Sequence, residues 1–486
     1  MPKSVRELEP KEMWNHFADL NAVPRPSKKE ERVREFMVRF GERLGLETIQ
    51  DEIGNVIIKK PATPGMEDKQ TIVLQSHLDM VHQKNATTDF DFNTQGIEMF
   101  VEDDWVKAKG TTLGADNGIG VASIMAVLAS DAIAHPAVEA LFTIDEETGM
   151  TGALNLKGGL LDGKILLNLD TEDDDELTIG CAGGIDVTAT GTYDVVPTPE
   201  NHLTYQISVK GLTGGHSGMD IHRGRGNANK IMNRILTDAA GKFGAHVATI
   251  DGGGLRNAIP RESVASVVVA ENNARDFETF VNAFAEKVKA EFNETDQNLS
   301  VSVGKADAAK NILSAAFQDA FLRSISEAVN GVYKMSPAIE GLVQTSNNVA
   351  RILVKDGEYT VMCLTRSSVD EEKMELANVL KATLEQPGAE VTFAGSYPGW
   401  TPKPEVAIVK IMDNLYRELY KEEPKVSACH AGLECGILGA NYPEMEMISF
   451  GPNIRGAHSP DEKVQISSVH KYWKLFLETL KRIPQN

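Results

Sequence analysis

Residues 71–79 read TIVLQSHLD, an apolar run of strand length that stops at His77, Leu78 and Asp79. A short continuous apolar run of this kind fits a strand buried on both faces. Two more stretches share the construction. Residues 138–147 (VEALFTIDEE) end in Asp145, Glu146 and Glu147, and residues 164–170 (KILLNLD) end in Asp170. Between the first two lies GIGVASIMAVLAS (118–130), an apolar segment of helix length. Buried strands alternating with helices predict an α/β layer structure whose sheet is covered on both faces. Open sheets of that kind place ligands at the carboxyl ends of their strands. His77, Asp79, Glu146, Glu147 and Asp170 all fall at such ends.

Outward from this core, apolar residues at three-to-four spacing predict helices over 8–17 and 30–44, separated by the breaker PRP (24–26). NVIIK (55–59) is a short strand. The pattern changes after residue 183. YQISVK (205–210) and SVASVVV (263–269) alternate, and 274–292 reads as a helix, so residues 184–398 are expected to form an inserted α+β unit. NAIPRE (257–262) and NNVARI (347–352) hint at two related halves within it. TPKPE (401–405) marks the return, and EMEMISF (444–450) is a further strand. The expected organisation is a domain of residues 1–183 and 399–486 with the 184–398 unit inserted.

Composition narrows the function classes. The 486 residues are 42% hydrophobic and 24% charged, as in an ordinary globular protein. Forty-nine basic residues against 70 acidic ones give a net charge of −21. That argues against nucleic acid, which needs a basic face, and against anionic membrane surfaces. It is compatible with cations. Four scattered cysteines without a C-x-x-C pair argue against a disulfide scaffold or a thiolate zinc knot. No apolar stretch of about 18 residues exists, and MPKSVRELEP lacks a signal-peptide apolar region, so a cytoplasmic protein is expected.

The residues at the strand ends suit metal chemistry. Residues i and i+2 of a strand share a face, so Asp79 can orient His77 as carboxylates commonly orient ligand histidines. In GADNG (114–118), Asp116 can cap a helix with one oxygen and turn the other into a crevice. DEETG (145–149) sets three acids on one turn. DTEDDDE (170–176) has six acids in seven residues; Asp170 abuts the apolar strand, and the remainder reads as a solvated loop. GAHSP (456–460) supplies a late loop histidine, His458. Two histidines and three carboxylates suit Zn²⁺, with Mn²⁺ or Co²⁺ as substitutes. One shared carboxylate would give a two-metal site. There is no G-x-S-x-G, no G-x-x-x-x-G-K-[ST] and no H-E-x-x-H.

SHLDMV (76–81), GADNG, DEETG, NLD (168–170) and GAHSP, in this order, resemble the cocatalytic di-zinc aminopeptidase/carboxypeptidase/aminoacylase superfamily. LTGGHSGMDIH (212–222) and HAGLECGIL (430–438) resemble its aminoacyl-histidine dipeptidase branch. The resemblance implies a catalytic domain with a mixed central sheet flanked by helices, plus an inserted α+β lid. It implies two Zn²⁺ bridged by Asp116, one completed by His77 and Asp170, the other by Glu147 and His458. Asp79 would clamp His77, and Glu146 would be the general base. The lid would bring His216 to the scissile carbonyl, Asn257 and Arg366 to the substrate, and Gly432 would offer a backbone contact. A cis peptide after Asp116 is implied too. The substrates would be small dipeptides of the X-His type, such as β-alanyl-histidine. An aminoacylase, a deacylase, a tripeptidase or a non-catalytic binding protein with a degenerate site are the alternatives. Lids of this superfamily often pair across a two-fold axis, which allows a homodimer.

Overall fold

The computed structural model describes residues 4–486, and the chain divides into two compact units. The first comprises the chain up to Gly180, Trp400–Ala428 and Leu433–Asn486; the second comprises Cys181–Gly399 and Cys429–Gly432.

The first unit is built on an eight-stranded mixed sheet in the order Glu47–Gln50, Val56–Lys60, Val138–Thr143, Ile72–His77, Ile165–Asn168, Glu446–Ser449, Glu176–Cys181, Lys425–Cys429. The 72–77 strand is central and runs parallel to both the 138–143 and 165–168 strands. All three are buried along their whole length, which is why their sequences are apolar without alternation. Because they are parallel neighbours, their carboxyl ends emerge along one edge. The Ala115–Ala129 helix packs on the 72–77 strand and against the Lys11–Asn21 helix. It is apolar all round because it is buried all round. Gly120 lets it approach closely: a Cβ there would lie 2.7 Å from the Leu169 carbonyl oxygen.

The first helix begins later than its periodicity suggests. Val5–Glu7 forms a 3₁₀ turn, and the α-helix starts at Lys11 behind Pro10. Proline lacks the N–H and clashes with the preceding turn, so it stands at the start of the helix and not inside it. A small four-stranded sheet includes Ile454–Arg455 paired antiparallel with Lys463–Gln465. His458 therefore sits at the tip of a hairpin.

The second unit is built on an antiparallel sheet of nine strands, the ninth being Gly331–Met335 beside Val343–Lys355, and carries a separate two-stranded pair, Val195–Pro197 with Asn311–Leu313. The helices Ala228–Phe243, Ala274–Glu291, Ala315–Glu327 and Asp370–Leu384 contribute buried apolar residues to a single core with the nine-stranded sheet. The two segments that hinted at related halves both feed this one sheet.

Candidate active site

The parallel strand ends supply the side chains. After Thr143 the chain turns sharply: Asp145 adopts φ +53° and its carboxylate accepts from the hydroxyls of Thr148 and Thr151. Asp145 is thus consumed by the turn, leaving Glu146 and Glu147 for other work. His77 is the last residue of its strand, and Asp170 follows the 165–168 strand by two residues.

These groups converge with the start of the Ala115–Ala129 helix and the hairpin tip. His77 Nε2 lies 3.2 Å from Asp116 Oδ1 and 3.5 Å from Asp170 Oδ1. His458 Nε2 lies 3.3 Å from Asp116 Oδ2 and 3.0 Å from Glu147 Oε2. Asp116 presents one oxygen to each histidine. Donor atoms of His77, Asp116 and Asp170 all lie within 4.8 Å of one another, and so do those of Asp116, Glu147 and His458. Glu146 joins His77 and Glu147 at the same spacing. The Asp116–Asn117 peptide is cis. On the far side of His77, its Nδ1 is 3.3 Å from Asp79 Oδ1. Asp79 in turn accepts from Ser27 Oγ (2.7 Å) and from the backbone N–H groups of Glu146 (3.0 Å) and Glu147 (3.3 Å). One buried carboxylate thus links the histidine end to the glutamate turn.

The electrostatics are those of a crowded anionic pocket. Burial disfavours a charged His77, yet Asp170, Asp116 and Asp79 raise it well above the usual imidazole range. Hydrogen bonds to Asp116 and Glu147 lift His458 to about 11. Burial pushes Asp170 up to about 7, and burial with the Asp116 charge raises Glu147. Burial, with Asp170, Glu434 and Glu147 outweighing the opposing charge of His77, holds Glu146 well above the carboxylate range. Burial also opposes charge on Asp116, but its bonds with His458 and His77 keep it below its ordinary value. Glu147 Oε1 is buried with no hydrogen-bond partner among the described residues. Surplus carboxylate, imidazole nitrogens and an orphaned buried oxygen form a nitrogen–oxygen donor set that divalent cations satisfy.

Three neighbours escaped the sequence reading. Glu462 accepts the backbone N–H groups of residues 113–116. Arg25, from the PRP segment read as a breaker, donates to the carbonyls of Leu78, Asp79 and Gly114. Glu434 accepts from Gln75 Nε2 (2.7 Å) and Thr143 Oγ1 (2.6 Å) on two of the strands that end at the site. Two readings need correction. The N-cap position belongs to Gly114, and it is Glu462, not Asp116, that satisfies the helix's first N–H groups. The 172–176 run is a loop with Asp175 exposed, but several of its acids are held by partners or burial and not simply solvated. Asp174 pairs with Lys471 (3.0 Å) and Asp173 with Arg455 (2.6 Å). Glu172 is pushed up to about 8 by burial and the charge of Asp116, with Asp170 and Glu462 adding to it.

In the second unit, Arg366 is 4% exposed. It donates to Tyr397 Oη (2.9 Å), and its Nη2 is 3.5 Å from His216 Nε2. His216 Nδ1 accepts the N–H groups of Gly218 (3.2 Å) and Met219 (3.0 Å). Burial and the Arg366 charge lower His216 to about 4. It is therefore neutral at pH 7, and the amide bonds at Nδ1 leave its proton on Nε2. Asn257 is exposed, and its carbonyl accepts from the Ser217 N–H at 2.8 Å. Gly432 ends the Cys429–Gly432 segment. His430 in that segment is buried, with Nε2 2.8 Å from Ser346 Oγ.

Residues 73–482 match the model of peptidase family M20/M25/M40. The chain is 42% identical over 480 residues to the cytosol non-specific dipeptidase of Escherichia coli, covering 99% of each sequence. The crystal structure of aminoacylhistidine dipeptidase from Vibrio alginolyticus superposes with a TM-score of 0.94 at 42% identity, covering 100% of this chain and 99% of that one. Aminopeptidase PepT from Bacillus cereus shares the fold alone, at 15% identity and a TM-score of 0.58 over 98% of this chain and 99% of its own. Matched over most of its length by the family model, and end to end by a curated relative, the chain belongs to peptidase family M20/M25/M40.

Proposed function

We propose that this chain is a metal-dependent dipeptidase acting on small dipeptides, X-His dipeptides among them. The observation that carries the reading is the pair of donor sets sharing Asp116, with Glu146 beside them. His77, Asp116 and Asp170 would hold one divalent ion, and Asp116, Glu147 and His458 a second. Zinc suits these donors, with manganese or cobalt as substitutes. When bound, two such ions acidify a water and polarise a peptide carbonyl. Glu146 takes the proton of the attacking water and delivers it to the leaving amine. Asp79 fixes the ring of His77 and, through the N–H groups of Glu146 and Glu147, the turn that aims both glutamates.

We further propose that the second unit supplies the substrate-binding groups, as a lid would. With Nδ1 occupied, His216 offers an Nε2–H to a developing oxyanion. Arg366 has a planar fork suited to a substrate's terminal carboxylate. Anchoring that carboxylate limits chain length and favours dipeptides; Asn257 and Gly432 would add contacts. The names of the two relatives at 42% identity support this substrate class, and that of the first supports a cytosolic setting.

The test is a substrate panel on protein stripped with a chelator and reloaded with Zn²⁺, Mn²⁺ or Co²⁺. Dipeptides, including β-alanyl-histidine, should be cleaved only by the reloaded protein. Preference for N-acyl amino acids or tripeptides would move the reading to an aminoacylase or tripeptidase. Activity indifferent to chelation would remove the metal from it.

A further inference from the structure

The Ala115–Ala129 helix is kinked at Asp116 and Asn117, whose backbone is not helical, and its start has no side-chain cap of its own. Its N-cap residue is Gly114, in the left-handed region at φ +71°, with no side-chain bond to the first turn. Helix starts leave backbone N–H groups unsatisfied, and a buried start needs them filled. Glu462 fills them from 346 to 349 residues away in sequence. Its Oε2 accepts from Leu113 N (2.7 Å) and Gly114 N (3.0 Å), its Oε1 from Ala115 N (2.8 Å) and Asp116 N (3.2 Å). The side chain is 3% exposed.

Where Glu462 comes from gives this clamp its meaning. It lies four residues beyond His458, in the hairpin tip between Ile454–Arg455 and Lys463–Gln465. Short backbone bonds tie that tip together, Ser459 N to Gly456 O and Glu462 N to Ser459 O. His458 is half-exposed at φ +63°, and its ring nitrogen faces Asp116 and Glu147. The distance between His458 and Asp116 therefore depends on the carboxylate that joins their two loops. The other histidine has a separate tether. Arg25 donates to the Gly114 carbonyl (2.6 Å) and to the carbonyls of Leu78 and Asp79 (3.1 Å each), holding the His77 strand end to the same turn.

We infer that Glu462 is a positioning residue of the metal centre: it locks the Asp116 turn to the His458 loop and so sets the Asp116–Glu147–His458 metal position, leaving the His77 position to Arg25. The inference rests on the two-metal reading above.

Glu462→Gln tests it, since an amide keeps one acceptor oxygen and turns an NH₂ toward N–H groups that need acceptors. A matched control exists in Glu139→Gln. Glu139 is also a buried carboxylate clamping backbone, accepting from Asp162 N (2.8 Å) and Gly163 N (2.9 Å), but at the far end of its strand from Glu146. Zn²⁺ is titrated calorimetrically into the metal-stripped full chain and each variant, with melting temperatures recorded. The wild-type chain should take up two ions. Glu462→Gln should keep one and bind the other roughly 10–100-fold more weakly. The weakened ion should be the one lost in His458→Ala and retained in Asp170→Ala. Glu139→Gln should melt earlier and bind both ions normally. Glu462→Asp, which keeps the charge but reaches fewer N–H groups, should show the same selective loss and substitutes if the glutamine variant does not fold. Unchanged binding, or equal weakening of both ions, overturns the inference. Failure of both variants to fold assigns Glu462 to folding and overturns it as well. A wild-type chain that binds no ion overturns the two-metal reading instead, a distinct result.

Discussion

Glu146 and Arg366 separate two kinds of contribution that a single activity measurement would merge. Glu146 has its backbone N–H on Asp79 and its carboxyl among the site's other acids, so Glu146→Gln removes a proton carrier and leaves the five histidine and carboxylate donors in place. Metal uptake should be unchanged while kcat falls about 10²–10⁴-fold, the usual worth of a general base; near-normal kcat would end the assignment. Arg366→Lys keeps the charge and loses the fork. KM for dipeptides should rise with kcat less affected, and an unchanged KM would argue against a carboxylate anchor. His77, Asp116, Glu146, Glu147 and Asp170 were legible because each follows an apolar run or stands at the start of an apolar helix, whereas His458, at a hairpin tip, was legible only through the GAHSP motif. Glu462, Arg25 and Glu434 were not. They act on backbone groups or on polar side chains of other strands, in partnerships that no local pattern announces. For Glu462 the one available cue was its closeness to His458 in sequence.

At the scale of elements, the three strands ending at the site were readable because burial on both faces leaves an unbroken apolar record. Elements whose neighbours decide their character were less readable. The acidic run at 172–176 looks solvated in isolation, and only the fold brings Lys471 and Arg455 to it. The start of the first helix was blurred by periodicity that continues through Pro10. The strand core itself makes a prediction. Leu74 is fully buried at the centre of the sheet, between the 138–143 and 165–168 strands. Leu74→Ala should destabilise the first unit by about 2–5 kcal/mol through lost burial and a residual cavity. Urea unfolding followed by hydrogen exchange in the 72–77 strand would measure it, and a loss under about 1 kcal/mol would mean the site collapses around the deletion.

For the molecule as a whole, the charge of −21 says little about where acidity matters. The pH dependence of stability is a sharper whole-chain quantity, and it is dictated by a few buried groups. His430 is one. Burial and the charge of Arg366 lower it to about 3, against 6.5 for an ordinary imidazole. The unfolded chain therefore takes up this proton first as pH falls. Stability from the neutral ring is fully present above about pH 6.5 and is lost progressively from there toward pH 3, at about 1.4 kcal/mol per pH unit. His216, lowered to about 4 beside the same guanidinium, adds the same sign. Acid should thus destabilise the second unit, because two imidazolium ions cannot be seated against Arg366. Hydrogen exchange in the 358–367 strand, which carries Arg366, should quicken between pH 6.5 and 4. In His430→Gln, which cannot take up that proton, the slope of stability against pH should fall by about one proton's worth. A slope identical in the variant and the wild-type chain would show that His430 is not the group that sets it.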